Sequence, residues 1–311
     1  MVARHKRDGA SAARDGFRCC WSPAANRSEV DVSKTDLSFE ALSDFPPDSQ
    51  IPFLDRRKLD ERKLSPEQLF WRRNGYLIMP SILPDELIEP YVRVRAARNM
   101  PASIGFPSSY AYMQIPEIRN ICLYRPVAAM MEHLIGEKLA LHFDLTQWVS
   151  TERSWHQDDY LNDEYVNSWY LAAWYALDDI PAESGPFEYV ASSHRWPVMR
   201  KQKIQANLPP EEATSHRWPS FAERFVTPIF DKKIRDSSLP VQQFMAKKGD
   251  VLIWHARLVH RGSKPLVPGT PRKSIIGHFT ALSKRLPEYH DLGFTDAGFP
   301  YLLHKYAQSF A

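Results

Sequence analysis

The chain has 311 residues, 43% of them hydrophobic and 25% charged, with a formal net charge of +3 at pH 7. That length can bury a large core without staples, and the composition excludes a wholly disordered chain. So small a net charge exerts little long-range pull on nucleic acid or an anionic membrane, and neither is expected as a partner.

Residues 1 to about 50 are poor in large aliphatics and rich in Ser, Asp, Ala and Arg, so they are expected to form a mobile tail that cannot offset its own ordering entropy. The stretch through Asn26 is basic but lacks the apolar run of a secretory signal, and Asp8 and Asp15 argue against a transit peptide. Cys19, Cys20 and Cys122 form neither a disulfide framework nor a CxxC pair, which points to a reducing, cytoplasmic compartment. No run of about eighteen apolar residues is present to span a bilayer.

The ordered chain, residues 51–311, is expected to form a single domain. Ser65-Pro66-Glu67 predicts a helix start, with Ser as cap, Pro at the first position and an acid in the first turn. Asn74-Gly75 ends that helix, Tyr76 to Met79 reads as a short buried strand, and Pro84-Asp85-Glu86 opens a helix toward Asn99. From about Ala140 the pattern changes to strands, at 141–150, 168–177, 187–191, 250–254 and 273–280. No regular helices separate them. The reading is therefore mostly β with flanking helices, an antiparallel double sheet or double-stranded β-helix (jelly roll). Between Arg195 and Asp236 a Pro-containing stretch with nine Lys or Arg against five acids interrupts the strands, and such a connection is expected to be a lid or a solvated insertion. The pentapeptide Ser-His-Arg-Trp-Pro occurs at 193–197 and 215–219, but its neighbours do not repeat, so it marks no repeat architecture.

The string Trp155-His156-Gln157-Asp158-Asp159-Tyr160 carries the chemistry. In extended backbone His156 and Asp158 point to the same side. Two imidazoles and one carboxylate on one face of an octahedron leave three positions open, the set that suits iron(II) oxygen chemistry. A third ligand is required, and the histidines of Trp254 to His260 are the candidates. His260, which ends an apolar run beside the polar Arg261-Gly262-Ser263, is preferred over the more central His255. An HxD tripeptide alone is weak evidence, since a lone strand histidine is commonly a satisfied core residue. Arg272-Lys273-Ser274 follows across the Gly- and Pro-rich turn 262–271. A hairpin there would lay the Arg272 strand beside the His260 strand, with Arg272 and Ser274 facing the metal and able to hold the distal carboxylate of a keto-diacid.

Taken in order, FWRRNGYLIMP (70–80), WHQDDY (155–160), Glu183-Ser184-Gly185-Pro186-Phe187 leading to Ser192-Ser193-His194-Arg195, and Gly249 to His255 ahead of His260 resemble the phytanoyl-CoA dioxygenase family of iron(II)/2-oxoglutarate-dependent oxygenases, from about Ser65 to about Ser283. The resemblance implies that His156, Asp158 and His260 are the metal ligands, that Arg272 and, less directly, Ser274 bind 2-oxoglutarate, and that O2 and a small-molecule substrate complete the reaction. It also implies oxidative decarboxylation of 2-oxoglutarate coupled to attack on a substrate C–H bond, with hydroxylation as the usual outcome. Where the family often has Pro-Gly-Ser-His, this chain has Ala191-Ser192-Ser193-His194, a departure that touches no ligand. Asp158 is not replaced by Gly or Ala, as it is in related halogenases.

Aromatic residues crowd the ligand-bearing segments, and Trp155, Tyr160 and Trp174 are candidate substrate contacts, although most such residues serve as core. The substrate is expected to be a small molecule of secondary or lipid-like metabolism; the basic 195–236 segment could bind an anionic or carrier-linked handle, although a solvated loop is the simpler reading of it. The competing reading is a jelly-roll hydrolase or isomerase using the same His/Asp/His set with zinc. Arg272 and Ser274 discriminate against it, since a hydrolase needs no keto-diacid anchor.

Overall fold

In the computed structural model, which describes residues 37–56, 58–103, 105–106 and 108–305, helix signals and strand signals sort into separate layers. The helix predicted at Ser65 is α2 (Pro66–Asn74). The Ser65 hydroxyl accepts from the Gln68 amide at 3.2 Å and the Gln68 side chain accepts from the Ser65 amide at 3.1 Å, a reciprocal cap that satisfies two orphan donors. Gly75, at φ 78°, closes the helix and turns the chain into β2 (Tyr76–Met79). There follow α3 (Asp85–Ala97), α4 (Pro116–Cys122) and α5 (Arg125–Ile135). The last two were not predicted. Yet α5 places Val127, Ala128, Met131, Leu134 and Ile135 on one buried face, the spacing that makes a helix amphipathic.

The strands form a seven-stranded sheet in the order β11-β12-β3-β10-β4-β8-β2. Its members are β2, β3 (Leu139–Leu145), β4 (Tyr170–Ala176), β8 (Val251–His255), β10 (Ser274–Ala281), β11 (His290–Phe294) and β12 (Pro300–His304). Neighbours run antiparallel except β12 with β3, so the sheet is mixed. A three-stranded sheet joins β7 (Val241–Phe244), β5 (Phe187–Val190) and β9 (His260–Gly262). One face of the large sheet, with Leu141, Leu171, Tyr175, Ile253 and Phe279, packs on Tyr91, Ile118 and Leu134 of the helices. The other face presents Ala172, Trp174, Leu252 and Trp254 to Phe187, Tyr189 and Phe244 of the small sheet. Strand β4 is buried along its whole length for this reason, as a strand covered on both sides must be.

Two boundaries differ from the sequence reading. Of the expected tail, residues 1–36 lie outside the described residues, but 37–50 belong to the fold. Helix α1 (Phe39–Leu42) is capped by the Ser38 side chain and buries Phe39 and Leu42, and β1 (Ser43–Asp44) pairs with β6 (Val198–Met199). Averaged over fifty residues, the composition hides two apolar side chains one helical turn apart. Nor is 195–236 a solvated loop, since it folds as β6, α6 (Lys201–Gln205), α7 (Pro210–Ala213) and α8 (Trp218–Ser237). Trp218, Phe225, Val226 and Phe230 of α8 form a second core with Phe39, Trp155, Tyr160 and Val259. Phe39→Ala should therefore cost about 3 kcal/mol, read as a lower urea midpoint at unchanged slope. A wild-type midpoint would instead mean that α1 adds nothing to the fold.

On the helix side of the large sheet, Asp144 is buried with Oδ1 accepting from the Tyr112 amide at 3.0 Å and Oδ2 unpartnered. Burial pushes its carboxyl up to about 7 against the opposing amide hydrogen bonds. The native state thus keeps a proton that the unfolded chain releases near its usual value of 3.8. Stability should fall as pH rises between those values, by up to about 1.4 kcal/mol per pH unit. Asp144→Asn should flatten that dependence in denaturation experiments between about pH 5 and 8, whereas a slope equal to wild type would assign it to another group.

Candidate metal centre

A short backbone bridge brings the first two histidines together. The His156 amide donates to the His260 carbonyl and the His260 amide to the His156 carbonyl, both at 3.1 Å. Their rings lie 4.2 Å apart between centroids. Extended alternation accounts for His156 alone. Asp158 has helical backbone, φ −67° and ψ −28°, at the start of a 3-10 turn, and that turn swings its carboxylate back toward the imidazoles. Asp158 Oδ1 stands 3.6 Å from His156 Nε2 and 3.7 Å from His260 Nε2. One ligand atom from each residue lies within 4.8 Å of the others, and among the described residues this is the only such cluster of three His, Cys, Asp or Glu.

Each group is oriented by a partner. His156 Nδ1 meets the Ser154 carbonyl at 2.7 Å and His260 Nδ1 the Leu258 carbonyl at 2.9 Å. A carbonyl can only accept, so both rings carry their proton on Nδ1 and aim the Nε2 lone pair at the common point. Trp254 Nε1 donates to Asp158 Oδ2 at 2.9 Å, which leaves Oδ1 for the ion. Burial, reinforced by His156, pushes His260 down to about 3 and keeps it neutral. Burial alone would raise the Asp158 carboxyl, but His260 and His156 outweigh it and hold it well below the usual carboxylate range. Two neutral imidazoles and one carboxylate are the donor set that iron(II) takes in oxygenases.

Arg272 lies on the same side of the large sheet, 4% exposed, with its guanidinium carbon 5.9 Å from the Trp174 ring. Its Nη1 donates to the Gly185 carbonyl at 2.7 Å while its Nε has no partner. Among the described residues it forms no ion pair with a carboxylate. Burial lowers its pKa only to about 10, so a charged, partly unsatisfied guanidinium stands ready for an anion. The carbonyl it uses depends on Gly185, at φ 76°, where a Cβ would lie 2.3 Å from the Ser263 carbonyl oxygen. Ser274, two residues on, is buried opposite Ala176. The expected hairpin is absent: β9 pairs with β5 in the small sheet, whereas β10 lies between β3 and β4 in the large one. The turn therefore crosses from one sheet to the other and sets Arg272 on the opposite wall from His260.

The model of the family described as phytanoyl-CoA dioxygenase (PhyH) matches residues 116–273, more than half of the chain. The chain belongs to the phytanoyl-CoA dioxygenase family. It is an iron- and 2-oxoglutarate-dependent dioxygenase, an oxidoreductase whose residues fit both cofactors. None of the curated proteins matches it. Among solved structures it is similar to the non-haem α-ketoglutarate-dependent epimerase SnoN from nogalamycin biosynthesis, with 21% identity and a TM-score of 0.50 over 71% of this chain and 84% of that one. It is also similar to EctD from S. alaskensis with bound Fe, with 15% identity and a TM-score of 0.52 over 80% of this chain and 84% of that one. At such identities the likeness shows the fold they share.

Other residues singled out from the sequence are dispersed around this family site. His255 faces away and pairs with Asp55 at 2.8 Å beside Arg257. Trp155 and Tyr160 pack in the core of α8, Trp155 under Arg261 at 4.3 Å. Trp174 lies beside Arg272. The basic residues of 195–236 are largely engaged: Arg200 and Lys203 pair with Asp44, Lys201 with Asp163, Arg224 with Glu212 and Lys233 with Glu40. The sequence shows Trp254 and Gly185 as motif residues, and their contacts with Asp158 and Arg272 are made across the fold. Trp254→Phe keeps the ring and removes the bond to Asp158, so metal affinity should fall about 10- to 100-fold in a competition titration; unchanged affinity would show that Asp158 needs no such support.

Proposed function

We propose that His156, Asp158 and His260 hold the iron, that Arg272 with Ser274 beside it grips the distal carboxylate of 2-oxoglutarate, and that the enzyme hydroxylates an unactivated C–H bond of a small molecule. The observation that carries this reading is the buried guanidinium of Arg272, without a carboxylate partner among the described residues, on the wall facing the triad. A hydrolase or isomerase built on the same triad has no use for such a group. With both cofactors bound, the iron centre supplies the oxidation, in which O2 and 2-oxoglutarate give succinate and carbon dioxide and one oxygen atom passes to the substrate.

The chain's own residues then bind, orient and exclude water. The two Nε2 atoms and Asp158 Oδ1 converge on one point and would hold the metal there. Arg272 neutralises the co-substrate's charge. Phe187, stacked on His260 at 5.2 Å, and Trp254, at 5.2 Å from the same ring, exclude water and hold the imidazole in place. We read the facing sheets as a double-stranded β-helix in a single domain that begins by residue 37. Support comes from the aromatic core between the sheets and from ligands contributed by both the small sheet and the segment bridged to it. Helix α8 is a candidate lid, because its Glu223 forms an ion pair with Arg153, three residues before His156. On this reading Trp155 and Tyr160 meet the substrate from the lid side and Trp174 lies by the co-substrate. An anionic handle has little to bind in 195–236, where acids already occupy most of the cations.

Anaerobic protein with iron(II) and 2-oxoglutarate should show a weak visible charge-transfer band, and admitting oxygen should yield succinate. Tight zinc binding without either signal would overturn the proposal in favour of a hydrolase. Arg272→Met should weaken 2-oxoglutarate binding by about two orders of magnitude while the iron titration stays as in wild type. Loss of both together would assign Arg272 to the fold instead of the co-substrate.

A further inference from the structure

Beyond the triad, the large sheet carries a row of polar rings that the proposed chemistry leaves unused. Cross-strand register aligns Trp254, Ala172, His278 and Phe143 on neighbouring strands β8, β4, β10 and β3. Trp254 holds Asp158, so the row starts at the metal site. Ala172, with no side chain beyond Cβ, lets the Trp254 and His278 rings meet edge to face above it, 6.1 Å between centroids. His278 stacks on Phe143 at 4.0 Å and lies 5.7 Å from the Tyr170 ring. Farther out, Tyr170 is 6.3 Å from His142, which is 5.5 Å from His304 and 6.1 Å from His290. The small sheet has three strands against seven, and none of its registered pairs reaches β3, β12 or β11. The small sheet therefore does not roof this part of the wall, where Tyr165, Val166 and Ala256 pack against Tyr170 and Phe143 instead.

The polar atoms of the wall are conspicuously unpaired. Among the described residues, both ring nitrogens of His278, the Tyr170 hydroxyl, and Nδ1 of His142 and of His290 are buried without a hydrogen-bond partner, whereas buried polar groups are nearly always paired. Phe143, His142 and His304 are only partly buried, so the wall reaches the surface at its outer end. We propose that the substrate lies against this wall and is a ring-bearing molecule with uncharged hydroxyl or carbonyl oxygens, positioned by hydrogen bonds from Tyr170 and His278.

This inference rests on the iron and 2-oxoglutarate reading above and adds the substrate class. A neutral imidazole offers one donor and one acceptor and a phenol offers both, which matches hydroxyl and carbonyl oxygens and leaves an acyl chain with nothing to pair. Burial keeps His142, His278, His290 and His304 below their ordinary pKa, with His278 and His304 near 4, so the wall is uncharged at neutral pH and has no pull on an anion. Arg285, at the outer end, donates from Nη1 to the His290 carbonyl at 3.2 Å. The aromatic faces of Phe143 and Trp254 accept a ring by contact.

The test uses the full chain loaded with 2-oxoglutarate and zinc, a diamagnetic replacement that prevents turnover, and saturation-transfer NMR with three probes: cyclohexane-1,2-diol, cyclohexanecarboxylate and toluene. The diol should bind most tightly. Tyr170→Phe and His278→Phe should each weaken the diol about three- to tenfold, the worth of one hydrogen bond, and leave toluene binding as in wild type. Preference for the carboxylate or toluene in wild type, or a diol affinity indifferent to both substitutions, overturns the inference. Tyr170→Phe removes a single oxygen atom, and its retained toluene binding shows that the wall is still folded. The visible band of anaerobic iron(II) and 2-oxoglutarate separates the two levels: with the band present and the diol unbound, only the substrate assignment fails, and without the band both fail.

Discussion

Two hydrogen bonds of 3.1 Å between the backbones of His156 and His260 constrain everything else in the site. They join the segment that follows β3 to the small sheet, and so hold two imidazoles from distant parts of the chain within one coordination sphere. Once that bridge is made, the Asp158 turn has one direction in which its carboxylate can meet both rings. Trp254, reaching from the large sheet, then completes the carboxylate's hydrogen bonding. The site is thus built across the gap between sheets and needs both walls. This explains why so much aromatic surface, from Phe187, Tyr189, Trp174 and Trp254, is spent on holding the walls together.

Charge is arranged along the same gap. On one wall the triad's charge is the ionised carboxylate of Asp158, with each imidazole turning Nδ1 to a backbone carbonyl and Nε2 to the common point. Arg272 on the other wall carries a positive charge that burial weakens without removing. A dianionic keto-diacid bridging a dication and this guanidinium would satisfy both without any further ionised side chain, which is the economy expected where desolvating a charge is costly. Farther along the large sheet the ionised groups give way to neutral imidazoles and a phenol. The gap therefore grades from charged near Arg272 to polar but uncharged at His278 and beyond.

The helical segment 201–237 and the arm at 37–44 form a second core that reaches the site through Trp155, Tyr160 and the Arg153 to Glu223 ion pair. Basic residues that look available in the sequence are matched there by Asp44, Asp163, Glu212 and Glu40, three of which lie outside the segment itself. Net charge over a window says little about free charge when the partners come from elsewhere in the chain.

Local chemistry was legible without coordinates. The Ser65 cap, the Gly75 stop, six of the strands, the HxD string and His260 all depend on residue types at short spacing, and short spacing is what a sequence displays directly. The tertiary structure decided matters that depend on separation in space. His255 turns from the metal because Asp55 awaits it, β9 and β10 part into different sheets, and Asp158 reaches the triad from a turn. The unpaired wall of Tyr170 and His278 exists only because register sets four strands side by side. Each of these outcomes is a long-range pairing whose energy appears only when remote backbone groups meet, and no window of the sequence contains both partners.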